Sequence, residues 1–232
     1  MADPKFYARP EGDPRPLEMP PRLVGWLVTG NPDPVHVREF VTSAEQALGP
    51  PPMVGGPLAL RLDVGLPGDA RLLDQYGLAR YLGPLVEWLG AHGRDFTSVW
   101  ATKAAAADSV LRVGPARPVP LPAGERRFAV RTDTSAGSPA FTAQVGEQLA
   151  GAQALPAGPV QLQLSYTVPP GSNWAALWQP TVAGLTSLLG ATADDRPDEP
   201  ADGRVVELAL HRREDPFVGH ATEVTGVVRR LS

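Results

Sequence analysis

Apolar and polar positions alternate in two nearly matching phrases, GPLALRLDVGLPG at 56–68 and GPVQLQLSYTVPPG at 158–171. Each opens on Gly-Pro, sets apolar side chains at every second place and closes on Pro-Gly, which describes a half-buried strand bounded by turns. The two stand 102 residues apart, and the register runs upstream without a gap, so that Glu45, Gln46 and Gly49 fall on Glu147, Gln148 and Gly151. Matches at turn residues and at a helix end go beyond the alternation any strand shares and predict an internal duplication.

The rest of the pattern fits two copies of one unit. In the first, RLVGWLVTG (22–30) alternates as a strand, VREFVTSAEQALG (37–49) has helical spacing with Gly49 as a stop, and LALRLDVGL (58–66) is the repeated strand. LLDQYGLARYLGPLVEWLG (72–90) predicts a helix whose Leu72, Tyr76, Leu82, Leu85, Val86 and Leu89 share an apolar face in spite of Gly83-Pro84, and DFTSVWATK (95–103) predicts a strand. The unit closes near residue 115, and RPVPLPAG (117–124) reads as a linker. The order then repeats with RRFAVRT (126–132), the helical SPAFTAQVGEQLAG (138–151), the strand VQLQLSYTV (160–168), a long helix over NWAALWQPTVAGLTSLLG (173–190) interrupted at Pro180, and the strand GRVVELALHR (203–212). ATADDRPDEPAD (191–202), acidic and rich in turn formers, predicts a mobile connection, and HATEVTGVVRRL (220–231) an extra strand.

Six prolines within the first 21 residues exclude a regular helix there and predict an extended arm. The expected organisation is an arm at 1–21 and two units at 22–115 and 116–232, each strand-helix-strand-helix-strand. The fold class is α+β, with the units packed about a pseudo-two-fold axis as a single-chain dimer. Alternation turns Leu58, Leu60, Leu62, Val64, Val160, Leu162, Leu164 and Tyr166 to buried faces, and Arg61 and Gln163 away from them.

Composition narrows the function. A chain of 232 residues that is 43% hydrophobic can bury a sizeable core. The absence of cysteine excludes disulfides, thiolate catalysis and cysteine-bound zinc, and fits a cytoplasmic protein. No apolar run approaches the roughly 20 residues of a membrane span, so no membrane partner is expected. A net charge of −4 supplies no electrostatic footprint for nucleic acid, although a local basic patch can hide in an acidic total.

The strand, the Pro-Gly turn and the following helix, together with a later acidic position before the next strand, resemble the RusA-type Holliday-junction resolvases. The likeness covers about 95 residues of each half. It implies a homodimer-like arrangement of magnesium-dependent endonuclease units, whose helix is entered through a cluster of the form D-x-D-N-x-x-K. The second copy departs from that cluster: Asn173 and Ala175 stand at the carboxylate positions, Ala176 at the Asn and Gln179 at the Lys, while Asp202 still matches a family acid. Magnesium wants hard, charged oxygen ligands, and alanine has none. The first copy carries Asp69, Asp74 and Asp95, with Arg80 six residues after Asp74. These three carboxylates either converge on a metal, with Gln75 and Leu72 at the Asn and first-acid positions, or serve as a turn cap, a helix-start acid and a solvated turn residue.

Other chemistry is sparse. His36, His92, His211 and His220 form no i, i+4 pair and read as surface or strand residues. No dinucleotide, P-loop or nucleophile-elbow motif occurs, and TDTSAGS (132–138) is a turn that can at best meet an anion through backbone N–H groups. Trp174 and Trp178 invite comparison with base-stacking platforms, but no Lys or Arg lies between Thr132 and Asp195, so packing is the expected role. Arg126, Arg127 and Arg131, with the pairs Arg212–Arg213 and Arg229–Arg230, are phosphate-binding candidates or a solvated strand edge. The expectation is a non-catalytic binding or interaction protein with a degenerate metal cluster and no cofactor, whose partner is another protein or branched DNA. The alternatives are a magnesium-dependent structure-specific endonuclease with one site in the first repeat, and a small-molecule site in the cleft between repeats.

Overall fold

The protein is described by a computed structural model covering residues 3–21, 33–51, 56–68, 72–73, 77–193 and 196–231. The first part of the chain runs through Phe6–Tyr7 (β1), Arg15–Pro16 (β2), Pro34–Leu48 (α1), Leu58–Leu66 (β3), Ala79–Ala91 (α2), Phe96–Ala105 (β4), Val110–Pro115 (β5) and Pro118–Val119 (β6). The second runs through Arg126–Thr132 (β7), Pro139–Leu149 (α3), Val160–Val168 (β8), Trp178–Ala183 (α4), Thr186–Leu189 (α5), Ala191–Ala193 (β9), Arg196–Pro200 (β10), Val205–Glu214 (β11) and Thr222–Arg230 (β12). The expected strand at 22–30 lies outside the described residues.

The fold is mixed α+β. Among the described residues eight strands form one continuous sheet in the order β2-β5-β3-β4-β11-β8-β12-β7. β3 pairs parallel with β4 and β8 parallel with β11, each crossing over through helices, while β5 and β12 pair antiparallel on the outer sides of β3 and β8. Between the two groups, β4 and β11 meet antiparallel, with Val99 opposite Leu210, Trp100 opposite Ala209 and Ala101 opposite Leu208.

Local chemistry explains the helices. Asp33 accepts from the Val35 N–H at 3.0 Å and Pro34 opens α1, while Gly49, at φ 67°, ends it. Ser138 and Pro139 do the same for α3, whose Phe141, Val145 and Leu149 recur every fourth residue on its buried side. The expected long helix at 173–190 is instead a 3-10 turn at Trp174–Leu177 followed by α4 and α5. Proline at 180 confines the regular helix to short pieces, and Gly184 closes α4. In the stretch read as mobile, β9 and β10 pair antiparallel, tied by Thr192 Oγ1 donating to the Pro200 carbonyl at 2.9 Å.

The described helices pack on one face of the sheet. Leu60, Leu62 and Val64 on β3, Val99 and Ala101 on β4, Leu162, Leu164 and Tyr166 on β8, and Leu208 and Leu210 on β11 pack there against Phe40, Leu82, Leu85, Phe141 and Trp178. The apolar residues expected to face the core on β3 and β8 do so, with Leu58 only partly buried. Yet Gln161, Gln163, Ser165 and Thr167, pointing the other way, are buried as well.

Their burial comes from two extended segments on the second face. Pro115 ends β5 and Arg126 begins β7, and six strand intervals separate those strands. Following the pairings from Arg126 through Val228, Leu162, Leu208, Ala101 and Leu62 leads to Leu111, four residues from Pro115. At about 4.8 Å between strands and about 3.3 Å per residue along them, the linker must cover about 32 Å. Its residue steps from Pro115 to Arg126 reach about 34 Å in a polyproline path. The linker is therefore nearly taut, and its prolines hold it extended without N–H groups that would need partners. Gly124 lies so close to Val227 that a Cβ there would overlap the valine.

The N-terminal arm runs beside the linker. Phe6–Tyr7 pair antiparallel with Pro118–Val119, and the Ala8 N–H donates to the Arg117 carbonyl at 2.9 Å. Ser165 Oγ accepts from the Lys5 N–H at 3.0 Å and donates to the Lys5 carbonyl at 2.8 Å. The arm then follows the β5 edge, where Gly12 approaches the Val113 carbonyl too closely for any side chain, and reaches α1 through Met19 N–H donating to Ser43 Oγ at 3.1 Å.

Deleting Pro120–Pro122 leaves a linker that reaches only about 25 Å, too short to cross. We expect the monomer to give way to an exchanged dimer, in which β4 of one chain pairs with β11 of another, or to a markedly lower Tm. Light scattering with thermal unfolding reads both, and a monomer of unchanged stability contradicts the taut crossing.

Candidate functional site

The described positions singled out by the RusA resemblance serve different structural uses. Asp69 and Asp74 lie outside the described residues. The Asp95 carboxylate is exposed and takes both bonds from Arg212 Nη2, at 2.6 and 2.8 Å. In the second half, Asn173 accepts from the Ala176 N–H at 3.4 Å as the cap of the 3-10 turn, and its side-chain amide donates to Glu87 at 2.8 Å. Ala175 is buried in the core, Ala176 is exposed, and Gln179 projects from the start of α4. Asp202 is buried in a second 3-10 turn at Asp202–Arg204, where its charge favours the ammonium of buried Lys103. Lys103 Nζ donates to the Gly203 carbonyl at 2.6 Å, and burial pulls its pKa down to about 8 against the opposing effect of Asp202. Among the described residues no group of three acidic or histidine side chains is placed to hold a metal.

The arginines do not form one patch. Arg126 and Arg127 sit at the start of the edge strand β7, bonded to Gln153 and to the Pro122 carbonyl at 3.1 and 3.2 Å. Arg131, at its other end, pairs with buried Glu223 at 2.8 Å. Arg212 stacks over Trp174 at 5.7 Å, and Arg213 bonds Asp215. The exposed edge of β7 is guarded in another way. Gln148 of α3 accepts from the Arg131 N–H at 3.0 Å and donates to its carbonyl at 2.9 Å, as a neighbouring strand would. Gln144 ties the TDTSAGS turn by bonding Asp133 at 2.7 Å.

Trp174 and Trp178 are both buried and meet edge to face at 4.7 Å, the packing role expected of them. His36 departs from its expected place, since it is buried on α1. His211 is buried on β11 beneath the arm, ringed by Phe6, Tyr7 and Trp100 at 5.3–6.0 Å, with Ser98 Oγ at 3.0 Å from Nδ1. Burial pushes its pKa down to about 3, so it is neutral at ordinary pH.

A concavity of about 690 Å³ lies over the helix layer. Pro34, Val37, Arg38 and Val41 of α1 line it with Arg80, Pro84, Glu87, Trp88 and Ala91 of α2, and Gln179 of α4 completes it. Both helices present one stripe to it, spaced i, i+3, i+4, i+7 on α1 and i, i+4, i+7, i+8, i+11 on α2. Trp88 is fixed in the wall: its indole N–H donates to Glu45 at 2.8 Å and its ring stacks on His92 at 4.7 Å. Apart from Gln179 and Arg80, none of these residues stands out in the sequence. Each belongs to an ordinary helical pattern, and only the pairing of two stripes makes a concavity.

The sequence matches no protein-family model, and no curated protein is significantly similar to it. Among the described residues no helix is long and apolar enough to cross a membrane.

The buried His211 has a consequence for acid stability. Its folded pKa, about 3, is below the ordinary 6.5, so below pH 6.5 the unfolded chain binds a proton that the native chain refuses. The site's contribution is complete above pH 6.5 and is lost as pH falls toward 3, on the order of 3 kcal/mol by pH 4. Urea unfolding from pH 7 to 4 should show a steeper loss for the natural chain than for His211→Gln, and equal slopes would contradict this placement.

Proposed function

We propose that the chain is a non-catalytic binding protein made of two fused RusA-like units, residues 22–115 and 116–232, behind an N-terminal arm. The carrying observation is the structural use of the second unit's cluster positions. Asn173 caps a turn and holds Glu87, Ala175 fills the core, Gln179 lines the concavity, and Asp202 faces a lysine ammonium. A carboxylate beside a buried ammonium already has its counter-charge, and the alanines offer a metal nothing.

Duplication is supported by the strand register. Leu60 and Leu162, 102 residues apart, are paired with Val99 and Leu208, and Leu62 and Leu164 with Ala101 and Leu210. Across the centre Val99 meets Leu210 and Ala101 meets Leu208, so exchanging the halves preserves every pairing about the Trp100–Ala209 position. The outer strands follow the same rule, Val113 and Leu111 on Leu60 and Leu62 corresponding to Val228 and Gly226 on Leu162 and Leu164. A pseudo-two-fold axis through the sheet centre accounts for all of these at once.

Binding without cleavage leaves the concavity over α1 and α2 as the seat for a ligand. Its volume falls within the roughly 300–1,000 Å³ common for small-molecule sites, and Gln179 brings the second unit to a pocket otherwise built by the first.

Calorimetric titration with magnesium and manganese, with cleavage assays on branched DNA, tests this reading. The expected result is no metal binding at millimolar concentration and no cutting. Magnesium-dependent cutting that Asp74→Asn abolishes, with the fold intact, would overturn it in favour of an endonuclease with one working site in the first unit.

A further inference from the structure

We propose that the concavity over α1 and α2 binds a monocarboxylate with an elongated apolar body, its carboxylate held by Arg38. The inference rests on the non-catalytic binding reading and names the ligand of that site. Val37, Val41, Pro84, Trp88 and Ala91 supply apolar wall, so most of a ligand placed there leaves water against hydrocarbon and indole. The site is preorganised, because Trp88 is held by its bond to Glu45 and its stack on His92 before any ligand arrives.

Charge decides the other end of the ligand. Glu87, the acid of the site, accepts from the neutral Asn173 amide at 2.8 Å and keeps its charge, against which the lining sets the two guanidiniums of Arg38 and Arg80. Arg38 is exposed at the site and has no bonding partner for its guanidinium among the described residues, and the Gln179 side-chain amide is likewise unengaged. Arg80 adds a second cation to the lining. A guanidinium fork beside an apolar wall matches a carboxylate through two parallel N–H···O bonds, and it repels an ammonium. Among the described residues of the lining no group is placed to react with such a ligand, in keeping with binding alone.

The test uses the full chain with octanoate, decanoate and dodecanoate, and with decanol and decylamine as partners of the same length and different charge. Titration calorimetry should show affinity rising about fourfold per added methylene along the carboxylate series, with decylamine not binding. Arg38→Gln, at an exposed position, should weaken decanoate about tenfold and leave decanol unchanged. Ala91→Phe, which fills the exposed end of the groove, should abolish binding without lowering Tm. Decylamine or decanol binding as tightly as decanoate, an Arg38→Gln variant of undiminished affinity, or no carboxylate binding at all would overturn the proposal. In that last case the metal and DNA assays, if still negative, leave the non-catalytic reading standing. Cutting of DNA would instead remove that reading, whatever decanoate does.

Discussion

A proline-rich segment has to cross the whole sheet with almost no slack, and much of the architecture depends on that crossing. Because the sheet is continuous through the β4–β11 pairing, the end of β5 and the start of β7 lie on opposite sides of it. A linker of about the minimum length must then run over the face that the helices leave open. Once there it supplies an edge for the arm, through the pairing of Phe6–Tyr7 with Pro118–Val119. Arm and linker together turn a one-sided sheet into a three-layer structure, with His211 and Trp100 enclosed beneath them.

Covering the polar face has an electrostatic price, which is met by a network rather than by single pairs. Asp63 is bonded by Thr102 at 2.6 Å, by Arg61 at 2.8 Å and by Arg112, while Glu207 is bonded by Arg9 of the arm at 2.9 Å and by Gln161 at 2.5 Å. Each carboxylate therefore keeps donors around it as solvent is excluded. On the other side the helices form the large core, and their outer surfaces carry the concavity. The sheet faces thus divide their roles: one is sealed for stability, and the other supports the surface on which a ligand can sit.

Much of this is legible in the amino-acid pattern, and what is missing has one kind of cause. β3, β7 and β8 occupy the residues expected of them, because strict alternation between Gly and Pro boundaries is local information. The short strand β5, with only Val110, Leu111 and Val113 as apolar residues, carries too little periodicity to stand out. Composition marks the arm and linker as extended but not as partners, since Phe6 and Val119 are joined by a contact over more than a hundred residues. For the same reason Gln161, Gln163, Ser165 and Thr167 read as a solvated face and are buried. Asn173, Ala175, Ala176 and Gln179 are visible in sequence as departures from the cluster that the RusA resemblance implies, whereas their surroundings are visible only in the fold. Lys103 facing Asp202, and Arg38 beside Trp88, belong to no motif because their partners come from distant segments.

The antiparallel seam between β4 and β11 is the premise of both the linker crossing and the proposed paired-unit reading, and the absence of native cysteine allows a direct test of it. Directly opposed residues of an antiparallel pair have Cα atoms within the span of a disulfide. Thr102→Cys combined with Glu207→Cys places one thiol opposite the other. Under mild oxidation the monomer should form an intrachain bridge, and the displaced pair Thr102→Cys with Arg213→Cys should not. A bridge that forms only between chains, or that forms equally well in the displaced pair, would contradict the seam and the structure built on it.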